Sequence, residues 1–185
     1  MKTFVSVCLA LACVAGSATV ASAQGGGAAC TTVACDVAGS WERSRAQITG
    51  IANAMPEDKF GFKSTPAQRS FGEHVLHIAQ VDVMLLGTLG AKTPAPTINM
   101  KATSKADILA QLKASMDYGS AVMKEFGTDA AITERVKSLP FLGATTSRLN
   151  VIYFSLGHSQ DTYGQMVVYL RLNGLVPPAS MRGGV

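Results

Sequence analysis

The sequence predicts an all-α chain, an antiparallel four-helix bundle with long crossover connections. Three observations point there: four stretches carry apolar residues at helical spacing, none shows the two-residue alternation of a half-buried strand, and segments rich in Pro and Gly separate them. The connections before the third and fourth stretches are too long for a minimal up-down-up-down series, which favours one or two crossovers.

The first helix runs from about Val37 to Ala54, with Trp41, Ile48, Ile51 and Ala52 on one face, and stops at Met55-Pro56. A residue before proline is steered out of the α region. The second starts in SFGE, where the Ser70 hydroxyl can accept from the Glu73 N–H while the Glu73 carboxylate reaches back to the Ser70 N–H. Its stripe is Phe71, Val75, Ile78, Leu85 and Leu89, ending at Gly90. In TSKAD, Ser104 and Asp107 repeat that signature, and Ile108, Leu109, Leu112, Met116, Val122 and Met123 carry the third stripe. TDAAITERVKS adds a short helix capped by Thr128. The fourth long helix spans about Thr145 to Asn173, where Gly174 suits the position after the C-cap and Pro177-Pro178 forbid continuation.

The first 23 residues are expected to be a signal peptide: Lys2, the apolar FVSVCLALACVAG, and Ala21-Ser22-Ala23 before Gln24. Cleavage would leave a flexible segment, 24–36, then a single domain over 37–180 and a tail over 181–185. An exported chain is periplasmic or secreted, with no stable membrane span once the leader is gone. Of the four cysteines, Cys30 and Cys35 would remain. In an oxidising compartment a disulfide closing a small loop is the default, with free thiols as the alternative. The absence of CxxCH excludes covalent haem attachment. Losing Lys2 takes the formal charge from +4 to +3, and the remaining basic residues are scattered, so nucleic acid is not an expected partner.

All three histidines lie in the second and fourth long helices. His74 and His77 stand three apart, His77 on the flank of the apolar stripe and His74 closer to its centre. On the last helix His158, Thr162, Gln165 and Tyr169 fall within roughly 40° of one another in projection, with Asp161 beside them. A polar column in an otherwise apolar helix needs hydrogen bonds or a ligand to offset its burial. Either a metal site or a self-satisfied core column fits this pattern.

The segments IANAMPEDKFGFKSTPAQRSFGEHVLHIAQVD and YGQMVVYLRLNGLVPPAS, in that order, resemble the DinB-like superfamily of damage-inducible-type four-helix bundles. The resemblance implies one divalent metal, often nickel or zinc, held by three histidines. One comes from the second helix and two from a His-x-x-x-His on the fourth. Residue by residue, the first two ligands are His77 and His158, and the third position holds Thr162. His74 and Asp161 are candidate substitutes, while Gln165 and Tyr169 would line a small-molecule pocket. The resemblance also implies metal-dependent group transfer and a homodimer. The reading is therefore a reduced two-histidine site, serving a transferase or hydrolase on a small molecule. The alternative is an inactive bundle used for small-ligand binding or dimerisation.

Overall fold

A hydroxyl starts the first helix earlier than its hydrophobic pattern does. In the computed structural model, which describes residues 30–181, α1 spans Val33–Ala54, and the Thr32 side chain accepts from the Cys35 N–H. Residues 33–36, expected to be flexible, are thus the first helical turn, and the Ala34 N–H donates to Asp129 Oδ1 at 2.8 Å. Cys30 and Cys35 are joined in a disulfide across this cap, their Cα atoms 5.4 Å apart. The expected leader, the GGGAA stretch and residues 182–185 lie outside the described residues.

The other long helices are α2 (Phe71–Leu86), α3 (Lys105–Glu125) and α5 (Arg148–Leu172). At α2 the reciprocal capping box forms, with Ser70 N–H donating to Glu73 Oε2 at 2.6 Å. At α3 only half of it does: Ser104 Oγ accepts from the Asp107 N–H, but the Asp107 carboxylate takes the Ser104 hydroxyl instead of its N–H. An aspartate is one methylene too short to reach back as glutamate does. The end of α5 is a full Schellman motif: Gly174, at φ 71°, donates to the Arg171 carbonyl and Leu175 to that of Leu170. Pro178 then opens a four-residue helix, α6 (Pro178–Met181).

The chain between α3 and α5 departs from expectation. The short helix α4 (Asp129–Thr133) forms on its Thr128 cap, but the following residues become β1 (Arg135–Lys137), paired antiparallel with β2 (Thr145–Ser147) in the register Val136↔Thr146. Three-residue strands are too short to show alternation in sequence, and β2 takes the place of the first turn expected for α5. That helix starts at Ser147, whose hydroxyl accepts from the Asn150 N–H.

Each long helix packs against two others: α1 and α2 both lie between α3 and α5 and face each other across the core. The core is continuous, from Trp41, Ile48 and Ile51 on α1, through Phe71, Val75 and Ile78 on α2, to Met116 and Val122 on α3 and Val151, Ile152 and Met166 on α5. Trp41 lies over Gly119 of α3, where any β-carbon would overlap the indole. Arg148 is buried where the α3–α5 connection meets the bundle. Its guanidinium donates to the carbonyls of Leu89 and Ala131, each at 2.8 Å, and to Glu134 Oε2 at 2.6 Å, while stacking on Phe126. No helix among the described residues is long and apolar enough to cross a membrane.

Candidate functional site

The α2–α5 contact brings two residues separated by 81 positions together. His77 Nε2 and His158 Nε2 are 3.1 Å apart, with ring centroids 4.9 Å apart and ring planes 69° to each other. One nitrogen must donate and the other accept. His158 Nδ1 is buried with no group of the described residues in hydrogen-bonding reach. A proton there would be stranded, so the partners assign it to Nε2, donating to His77. Burial, first of all, lowers the basicity of both imidazoles, and Arg69 adds to it: His77 is pushed down to about 4 and His158 lies below its usual value despite Asp161 nearby. Both rings are therefore neutral at pH 7.

The neighbouring polar residues are committed elsewhere. Thr162, buried, donates its hydroxyl to the carbonyl of His158 at 3.1 Å, the back-bonding common to threonines inside helices. Asp161 and Gln165 are exposed and pair with each other, Gln165 Nε2 donating to Asp161 Oδ2 at 3.0 Å. Tyr169 is buried, donates to the Arg69 carbonyl at 2.7 Å and accepts from Ser64 Oγ at 3.2 Å. His74 is buried edge-on against Tyr169, ring centroids 5.0 Å apart, and neither of its nitrogens meets a protein partner. Burial keeps it below its usual pKa as well.

The structure thus assembles His77 with His158 and leaves the rest of the predicted set apart. Among the described residues no three His, Cys, Asp or Glu side chains converge as a metal-binding group, so neither His74 nor Asp161 stands in for the third ligand. Asp161 stands only about 60° from His158 in projection, yet it lies on the solvent side of α5, where it pairs with Gln165. Beside His77 is a cavity of about 310 Å³ lined by Arg69, Glu73, Leu76, His77, Gln80 and Met100. Gln165 and Tyr169, expected to line a pocket, are absent from this one.

Chain and fold together identify the family. A model of the DinB superfamily matches residues 40–166. The chain belongs to the DinB superfamily. Two solved DinB-like proteins share its fold: one from Bacillus cereus (TM-score 0.68, 18% identity, covering 80% of this chain and 95% of that one), and one from Bacillus subtilis (TM-score 0.60, 16% identity, 75% and 92%). No curated protein matches the chain.

Two features of this DinB-superfamily bundle escaped the sequence reading. Asp82, fully buried on α2, accepts from Ser155 Oγ at 2.6 Å and Ser159 Oγ at 2.9 Å on α5, both through Oδ1. Its Oδ2 has no partner, and burial pushes the carboxyl up to about 7 against the two hydroxyls. The signal was available: Asp82 stands four residues from Ile78 and three from Leu85, on the buried stripe itself. The second is Arg69, whose place beside the histidines depends on the loop ahead of α2.

Proposed function

We propose that the protein is an exported DinB-superfamily bundle in which His77 and His158 form a reduced, two-imidazole site for a divalent metal. Its work there would be group transfer or hydrolysis on a small molecule. The observation that carries this is the convergence of two neutral imidazoles at 3.1 Å beside a cavity of about 310 Å³.

The donor set fits a weakly held nickel or zinc ion and does not fit the family's three-histidine centre. Catalytic zinc sites hold three protein ligands, and here the third position offers a hydroxyl already bonded to a helix carbonyl. A second cost comes from His158. To present its Nε2 lone pair it must carry its proton on Nδ1, which has no acceptor to hold the ring as ligating histidines require. An ion bound there would supply Lewis acidity toward a carbonyl, thiol or water. The imidazoles are poor general bases at neutral pH, since effective bases have pKa values near the working pH. Ligation or hydrogen bonding to a ligand is the role their protonation state suits. Export is supported by the leader pattern and by the Cys30–Cys35 disulfide, a bond that lasts in oxidising compartments.

Dialysis of the leader-free protein against nickel or zinc, followed by elemental analysis and titration calorimetry, tests the reading. Weak stoichiometric binding is expected, lost in His158→Ala and strengthened at least about tenfold in Thr162→His, which restores a third imidazole. Should neither wild type nor Thr162→His hold either ion, the metal site is gone. The back-bonded Thr162 favours that second reading, a bundle kept for small-ligand binding or dimerisation.

A further inference from the structure

The cavity beside His77 contains a positive charge that forms no ion pair among the described residues. Arg69 lines it, and none of the ion pairs among the described residues involves that guanidinium. The one carboxylate on the lining, Glu73, is committed to the Ser70 N–H at 2.6 Å and has Lys63 Nζ 3.5 Å away. Glu73 and Lys63 therefore cancel, and Gln80 adds only an amide. The residual charge of the cavity is that of Arg69. Its backbone is fixed by the Tyr169 hydroxyl, which bonds the Arg69 carbonyl from the far side of the α2–α5 seam. A second cavity of about 320 Å³ shares Glu73, Leu76 and Met100 with the first and continues onto Phe60 and Ile108. The two together form a groove with the Arg69 cation beside the imidazole pair, apolar residues (Phe60, Leu76, Met100, Ile108) on its floor, and Lys101 on the lining of the second cavity, away from His77.

We propose that Arg69 is the specificity residue of this site, and that its ligand is a small molecule with one anionic group, a carboxylate, sulfonate or phosphate, on an apolar body. The anionic group pairs with the guanidinium next to His77, and the body lies along Leu76 and Met100. A guanidinium suits such oxyanions because its planar fork can donate two parallel N–H bonds. This inference rests on the reading that the His77–His158 pair marks the site, but it does not need the metal.

The probe is 1-anilinonaphthalene-8-sulfonate, an aromatic sulfonate, followed by fluorescence in EDTA. N-phenyl-1-naphthylamine, the same ring system without the sulfonate, is the control. Arg69 is exposed, so Arg69→Gln is expected to fold normally, which near-UV circular dichroism checks. Its affinity for the sulfonate should fall about fivefold, that for the neutral dye should not change, and Arg69→Lys should recover part of the loss. Unchanged sulfonate affinity in Arg69→Gln, or an equal loss for both dyes, overturns the proposal. Nickel binding separates the two claims. If nickel binds while the sulfonate ignores Arg69, the anion inference falls alone. If the sulfonate depends on Arg69 while no nickel binds, the metal reading falls alone.

Discussion

Asp82 is the residue whose environment most opposes its chemistry. A carboxyl sealed between helices, with both hydrogen bonds on one oxygen, keeps its proton up to about pH 7, whereas an unfolded chain releases it near its ordinary 3.8. The native state then binds more protons than the unfolded state across that window, so this group's contribution to stability falls as pH rises through it. Above about 7 the loss is complete. Asp82→Asn keeps an acceptor for Ser155 and Ser159 and cannot ionise. Relative to this variant, wild-type stability from urea midpoints should decline between pH 3.8 and about 7, by on the order of a few kcal/mol. Parallel curves for the two proteins would show that the carboxyl is not shielded as described. The histidines act in the opposite sense, because their lowered basicity makes acid destabilising below their unfolded value of 6.5. The Asn variant isolates one slope from the other.

Between elements, α1 lies close against α3 at Trp41, and a glycine permits it. Glycine inside a helix ordinarily costs about 1 kcal/mol relative to alanine. At position 119 the sign reverses, because a methyl would overlap the Trp41 ring and neither helix can retreat without opening the core. Gly119→Ala should lower stability by about 2–3 kcal/mol, read by chemical denaturation. A variant as stable as wild type would mean that Trp41 can swing aside. Such contacts explain what could be read in advance and what could not. The stripes of α1, α2 and α3 were legible because burial repeats with the helix, and so was the Ser70 capping box. The three-residue strands were not, since their pairing depends on a partner ten residues away, and the helical pattern of the flanking residues ran over them. On α5 the apolar residues are spread round the helix, with Tyr153, Phe154, Val168 and Leu172 exposed. Its pattern therefore marked length better than facing.

The assembled bundle is closed by Arg148, which sequence presents as one of many scattered cations. It joins the segment after α2, helix α4 and the start of α5 through three acceptors, none of them near it in sequence. Arg148→Met fills similar space but strands two carbonyls. The expected cost is about 2–4 kcal/mol, with faster hydrogen exchange in the 126–147 connection as the local readout. An unchanged melting temperature together with unchanged exchange would remove Arg148 from this role. The same long-range packing creates the candidate site: His77 and His158 become neighbours only when α2 and α5 lie side by side.

Periodicity, caps and breakers were enough to specify the four long helices, because each reflects interactions within a few residues of chain. The quoted segments were enough to point to the DinB superfamily, and to mark Thr162 as standing where that resemblance implies a third histidine. What surrounds the histidines required the folded chain. Spacing can place Asp161 near His158 on a helix, yet only packing turned Asp161 to solvent, sealed Asp82 between two serines and set Arg69 beside His77, outside every ion pair among the described residues. Those outcomes depend on which faces of distant segments meet, and local sequence contains no term for that.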